Sequence, residues 1–89
     1  MKQVRIRISG KVQGVFFRAT AQEEAEKLHL FGRVKNEPDG SVTVEAGGEN
    51  DRINEFIGWC LRGPDGAVVD HIDVQETQFP ETGSFVIEE

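Results

Sequence analysis

The chain has 89 residues, 37% of them hydrophobic and including six Phe and one Trp, which is enough for one core and leaves no room for a second domain. Ten Lys and Arg against sixteen Asp and Glu give a net charge of −6, which argues against a surface dedicated to duplex nucleic acid. No apolar run approaches the roughly 20 residues of a bilayer span and no apolar leader opens the chain, so a cytoplasmic protein without membrane attachment is expected.

Low-complexity stretches and linkers are absent, so residues 1–89 read as a single domain. Between Gln3 and Ser9, Val4, Ile6 and Ile8 alternate with Arg5 and Arg7, the period of a strand with one buried face. Gly10 to Phe17 holds two glycines and no helical pattern. From Arg18 onward, Ala21, Ala25 and Leu28 recur at helical spacing amid Glu23, Glu24, Glu26 and Lys27, and Gly32 is placed to end that helix. Val34 and Asn36 then share one side of a short strand, with Arg33 and Lys35 on the other. The turn Glu37-Pro38-Asp39-Gly40 leads into Val42, Val44 and Ala46, which predicts an antiparallel hairpin closed by Gly47 and Gly48.

Ile53, Phe56, Ile57, Cys60 and Leu61 fall at i, i+3, i+4, i+7 and i+8, a strong amphipathic helix signal with Asn50 as N-cap. Cys60 on that stripe reads as a small buried hydrophobe, and a lone Cys forms no internal disulfide. Gly63-Pro64-Asp65-Gly66 breaks the helix. Val68 to Thr77 predicts a strand with Ile72 and Val74 inward and Asp70 out of pattern, and Phe85-Val86-Ile87 can add a short last strand. The order β-α-β-β-α-β predicts an α+β, ferredoxin-like two-layer fold with both helices on one face of an antiparallel sheet. That topology hosts many functions, so function rests on the site.

Two segments carry chemistry. Gly10-Lys11-Val12-Gln13-Gly14-Val15-Phe16-Phe17-Arg18 is a glycine loop between a strand and a helix N-terminus, where backbone N–H groups and the helix dipole favour an anion. Arg18 adds a planar fork that matches two phosphate oxygens. Taken alone, an Arg at a helix start is more often a solvated charge, and the spacing matches neither nucleotide-binding fingerprint. Gly32 to Val42 places Asn36 on the core-side parity just before a turn, where an Asn is usually turn chemistry but where its carboxamide also suits holding a water.

Together the segments closely resemble the two signatures of the acylphosphatase family, G-x-V-Q-G-V-x-F-R and G-x-V-x-N-x-x-D-G-S-V. The resemblance extends through Gly63-Pro64, Ala67, Val69 and Phe85-Val86-Ile87, which is essentially the whole chain. The chain departs from the common pattern at Phe16, where the family often has Gly, and at Arg33, where it often has an aromatic residue.

The resemblance implies a hydrolase of acyl phosphates. The backbone N–H groups of Gly14, Val15, Phe16, Phe17 and Arg18, with the Arg18 side chain, would hold the phosphate, and Asn36 would position the attacking water. It also implies no metal, no cofactor and a small-molecule substrate; inorganic phosphate or sulfate is expected to compete at the same loop, and a monomer is expected.

No Ser-His-Asp or Cys-His grouping lies near the loop, and His29 and His71 read as solvated. One alternative is a non-catalytic acyl-phosphate or carbamoyl-phosphate binding module, since a similar domain heads a much larger hydrogenase-maturation protein. That protein continues into paired-cysteine segments, and with one Cys a free-standing hydrolase is expected here. The other alternative is an RNA-binding module on the open sheet face, prompted by Arg5, Arg7, Arg33 and Lys35. That face is predicted to lack the aromatics on which bases stack, and Arg5 and Arg7 read as a solvated face paired with Glu45.

Overall fold

The computed structural model describes residues 1–88. The elements run β1 (Lys2–Lys11), α1 (Phe17–Lys27), β2 (Phe31–Asn36), β3 (Val42–Gly48), α2 (Asn50–Arg62), β4 (Val68–Glu76) and β5 (Phe85–Glu88). The strands form one sheet in the order β4-β1-β3-β2-β5. The first four pair antiparallel and β5 joins β2 in parallel, so the sheet is mixed rather than purely antiparallel. The expected ferredoxin-like architecture is present.

Alternation in the strands dictates which face is covered. Val4, Ile6, Ile8, Val34, Val42 and Val44 are fully buried and pack with Phe17, Ala21 and Ala25 of α1 and Ile53, Phe56 and Cys60 of α2. Phe56 stacks near Trp59 (ring centroids 5.9 Å) and meets Phe85 edge-on (6.1 Å). Burying one such ring stabilises the fold by roughly 1.5–3 kcal/mol. The α2 stripe is rotated from the predicted one. Trp59 is buried against Phe17 (5.3 Å) in the space between the helices, while Leu61 is 57% exposed. Helix α2 also begins one residue early: Glu49 is the cap and Asn50 the first helical residue.

Three other expectations are corrected. Helix α1 is not ended by Gly32. It closes at Leu28 and His29, with His29 in the left-handed region (φ 57°) and Leu30 N–H donating to Ala25 O (2.9 Å), so the chain turns three residues earlier. Gly32 lies inside β2 at φ 140°, where a Cβ would stand 1.8 Å from Glu45 O. Gly47 and Gly48 belong to β3 itself, and Phe31 packs across Gly47 where any side chain would collide with its ring. In β4 the odd position of Asp70 comes from a bulge opposite Ser9 and Gly10, which adds one residue on β4 and turns Val69 inward. Ile72 is half-buried as expected, but Val74 at the uncovered margin is 38% exposed.

The face away from the helices carries a charge lattice. Glu45 accepts from Arg5 (3.1 Å) and Arg33 (2.7 Å), Arg33 also reaches Glu88 (2.5 Å), Arg7 pairs with Asp39, and Lys35 lies 3.9 Å from Glu37. Only Arg5 of the β1 pair therefore meets Glu45. The expectation of no aromatic on this face also fails at its end. Phe31 projects there and is buried beneath Phe79 (5.7 Å), whose backbone is held in both directions by the Gln3 carboxamide (3.0 and 3.1 Å). No helix among the described residues is long and apolar enough to cross a membrane.

Candidate active site

Strand pairing sets the site. Ile8 of β1 pairs with Val42 of β3, and Val42 pairs with Asn36 of β2, so the loop after β1 and the β2–β3 turn emerge from the same row of the sheet. Val12 is fully buried at the base of the loop, and the chain then passes through Gly14 (φ 74°) and Phe16 (φ 61°), both left-handed. Such turns bring successive N–H groups to one side, and they lead here into the N-terminus of α1. The first intrahelical bond runs from Thr20 N–H to Phe16 O (3.0 Å), and Thr20 Oγ1 donates to the same oxygen (2.9 Å). The N–H groups of Phe17 and Ala19 precede that bond, in the first turn where a helix supplies no acceptor of its own.

A cleft of about 350 Å³ is lined by Val12, Gly14, Phe16, Phe17, Arg18, Ala19, Asn36 and Ile87. It thus brings together Arg18, Asn36 and three of the other four predicted phosphate-binding positions. Val15 is the exception: its side chain is half-buried against the core, next to Gly66, and does not line the cleft. Arg18 is half-buried on the first turn of α1, and its Nη1 donates to the Glu88 carbonyl (3.4 Å). Asn36 is exposed at the end of β2, on the parity of buried Val34.

Several residues that shape the site had no predicted role. Gln13 spans loop and hairpin, its Nε2 donating to Glu37 O (2.8 Å) and Ser41 O (3.0 Å). Asp39 Oδ1 accepts from Ser41 Oγ (2.6 Å) and Ser41 N–H (3.0 Å), which fixes the turn beyond Asn36. The Ser41 hydroxyl, then its N–H, hold the Asp39 carboxyl below its usual pKa. Ile87 of β5 closes one wall of the cleft because β5 lies beside β2. The signal for Gln13 was present, since a carboxamide in a tight glycine loop needs partners, but nothing in the pattern named them. Burial pushes the Cys60 thiol upward, in keeping with its core position away from the cleft. Among the described residues no group of three or more His, Cys, Asp or Glu is placed to hold a metal ion.

The family model Acylphosphatase matches residues 4–87. An acylphosphatase from Syntrophus aciditrophicus is 44% identical over 85 residues, 96% of this chain and 86% of that protein. The crystal structure of an acylphosphatase from Bacillus subtilis superimposes with TM-score 0.95 at 38% identity, covering both chains completely. Full-length HypF, in a phosphate- and nucleotide-bound form, matches with TM-score 0.88 and 32% identity over 99% of this chain but only 12% of its own length. With a family match across nearly its entire length and relatives of this identity and coverage, the chain belongs to the acylphosphatase family.

Proposed function

We propose that the protein hydrolyses acyl phosphates to a carboxylate and inorganic phosphate, with Arg18 and the N–H groups from Gly14 to Arg18 holding the phosphoryl group and Asn36 orienting the water. The observation that supports this most is that a guanidinium, a left-handed loop, a helix N-terminus and a carboxamide share one small cleft. The substrate class suits such a site. A carboxylate is a good leaving group, so hydrolysis can proceed without a protonating acid, and positioning plus charge stabilisation supply the acceleration. The attacking water loses a proton as the P–O bond to the carboxylate breaks. The substrate's own phosphoryl oxygens are the acceptor in this reading, since among the described residues that line the cleft none is a ready base.

Arg18 would meet charge present in both substrate and transition state, whereas Asn36 would act on the nucleophile alone. Arg18→Ala should therefore weaken competition by inorganic phosphate as well as turnover. Asn36→Ala should lower kcat about a hundredfold, the order lost when a reacting group is misplaced by about 1 Å, with phosphate Ki nearly unchanged. An unaltered kcat in Asn36→Ala would make it a turn residue. Phosphate binding by a wild-type protein that turns over no acyl phosphate would favour the non-catalytic module, the reading that the likeness to HypF keeps in view.

The open face is read here as self-paired rather than as a nucleic-acid platform, because Arg5, Arg7, Arg33 and Lys35 each have an acidic partner and Phe31 lies under Phe79. The protein is proposed to work as a monomer, because Arg18, Asn36 and the Gly14–Arg18 loop, to which the reading gives every role, belong to one small domain.

A further inference from the structure

Phe16 combines two features that folding does not favour. Its backbone lies at φ 61° and ψ 25°, a region that side chains with a Cβ rarely enter, and its ring is 82% exposed. Glycine at this position would remove both. An outlier of this kind persists where surrounding structure enforces it, and it is a starting point for a functional reading. Here the enforcement is visible: Thr20 donates to the Phe16 carbonyl through both N–H and Oγ1, fixing the residue on the end of α1.

The location gives the ring a use. Phe16 lines the same cleft as Arg18 and Asn36. Of the other apolar residues there, Val12 and Phe17 are buried and Ile87 is half-buried, so Phe16 alone presents a large exposed apolar side chain. The cleft therefore joins an anion-binding floor to an apolar rim. In an in-line displacement the leaving group departs opposite the water. With the water at Asn36 on β2, the organic part of the substrate extends away from that residue, and the exposed Phe16 ring is the large apolar surface that the cleft offers it.

We propose that the Phe16 ring is a specificity-determining contact for the acyl group, selecting acyl phosphates with aromatic or bulky apolar acyl groups over acetyl phosphate. The proposal rests on the reading of the cleft as an acyl-phosphate site.

The test compares kcat/KM for benzoyl phosphate and acetyl phosphate in the wild type, Phe16→Gly, Phe16→Asn and Phe16→Tyr. Gly and Asn both tolerate the left-handed backbone, so they remove the ring with the least disturbance of the loop, and Tyr retains a ring. Whatever change is common to both substrates, the benzoyl-to-acetyl ratio should fall about tenfold in the Gly and Asn variants, the order that an ordinary aromatic contact supports, and survive in Tyr. Calorimetric Kd values for phenacylphosphonate and acetonylphosphonate give a second reading without turnover. A ratio unchanged by Phe16→Gly and Phe16→Asn, in an enzyme that hydrolyses both substrates, overturns the role of Phe16 and leaves the function standing. A wild type inactive on both overturns the function. The phosphonates then decide for Phe16: a preference for the aromatic one that is lost with the ring supports the contact, and equal affinities overturn it.

Discussion

Replacing Gln13 with Ala deletes the two hydrogen bonds that tie the loop to the hairpin, at 2.8 Å to Glu37 O and 3.0 Å to Ser41 O. Both carbonyls keep another partner, because Ser41 O also accepts from Glu37 N–H (2.8 Å) and Glu37 O from Gly40 N–H (3.1 Å). The loss is thus two net hydrogen bonds without an orphaned acceptor, about 1 kcal/mol each and ~2 kcal/mol together. In a chain of this size each kcal/mol moves Tm by about 4–8 °C, so Tm should fall by about 8–16 °C. The effect on rate is separate. The loop leads directly into the first turn of α1, which carries Arg18, and the hairpin carries Asn36, so a relative displacement of about 1 Å between them lowers kcat by about a hundredfold. Thermal unfolding and benzoyl phosphate hydrolysis, the latter assayed well below the variant's own Tm, separate the two. A lowered Tm with wild-type kcat would make Gln13 a staple of the fold alone. If neither changes, the reasoning from these two bonds is refuted.

Gly32→Ala should destabilise the protein by more than about 3 kcal/mol, because the new Cβ meets Glu45 O at 1.8 Å in rigid sheet backbone, and urea unfolding would show it as a lowered midpoint. Burial pushes the Glu45 carboxyl up, but the Arg5 and Arg33 guanidiniums outweigh it and hold its pKa below the usual value. The unfolded chain then takes up the proton first, so this stabilisation is complete above the unfolded value of about 4.3 and is lost as pH falls through the folded one. Glu45→Gln should flatten the fall of Tm in that acid range, and an unchanged slope would count against the pairing. Inorganic phosphate should raise Tm in proportion to ln(1 + [L]/Kd), and the rise should shrink in Arg18→Ala. A full shift in that variant would put the anion elsewhere.

What the residues disclosed before folding was mostly local. Val4, Ile6 and Ile8 announce β1 because one covered face imposes a period of two, and all three are fully buried. The end of α1 is hard to read because its closing residue, His29, is a weaker left-handed signal than glycine, whereas Gly32 resembles a terminator but is needed for a close approach by Glu45 from another strand. The Asp70 bulge shows only as a lapse in alternation, since its cause is the register with β1. At the site, Arg18 and Asn36 are legible through the family resemblance more than through residue chemistry, which for each alone favours a surface role. The part of Gln13 was hidden because its partners are main-chain carbonyls 24 and 28 residues away. Phe16 stood out only as a departure from the common pattern, and its left-handed backbone supplies the physical reason glycine is at home there.

The two borders of the sheet differ in the invitation they offer to another chain. Strand β5 ends one side after four residues, but β4 runs for nine along the other with a free row of backbone donors and acceptors. That long border carries Asp70, Asp73 and Glu76, all exposed, and the bulge at Asp70 bends it out of the flat line that a foreign strand would need. At neutral pH like charges keep two such borders apart. Acid loosens the lattice behind this border, because Glu45 loses its hold on Arg5 and Arg33 once it takes up a proton. Exposed Val68 and Val74 lie on the same strand, so neutralising that charged guard with Asp70→Asn, Asp73→Asn and Glu76→Gln should leave β4 an adhesive border and promote aggregation of the folded protein.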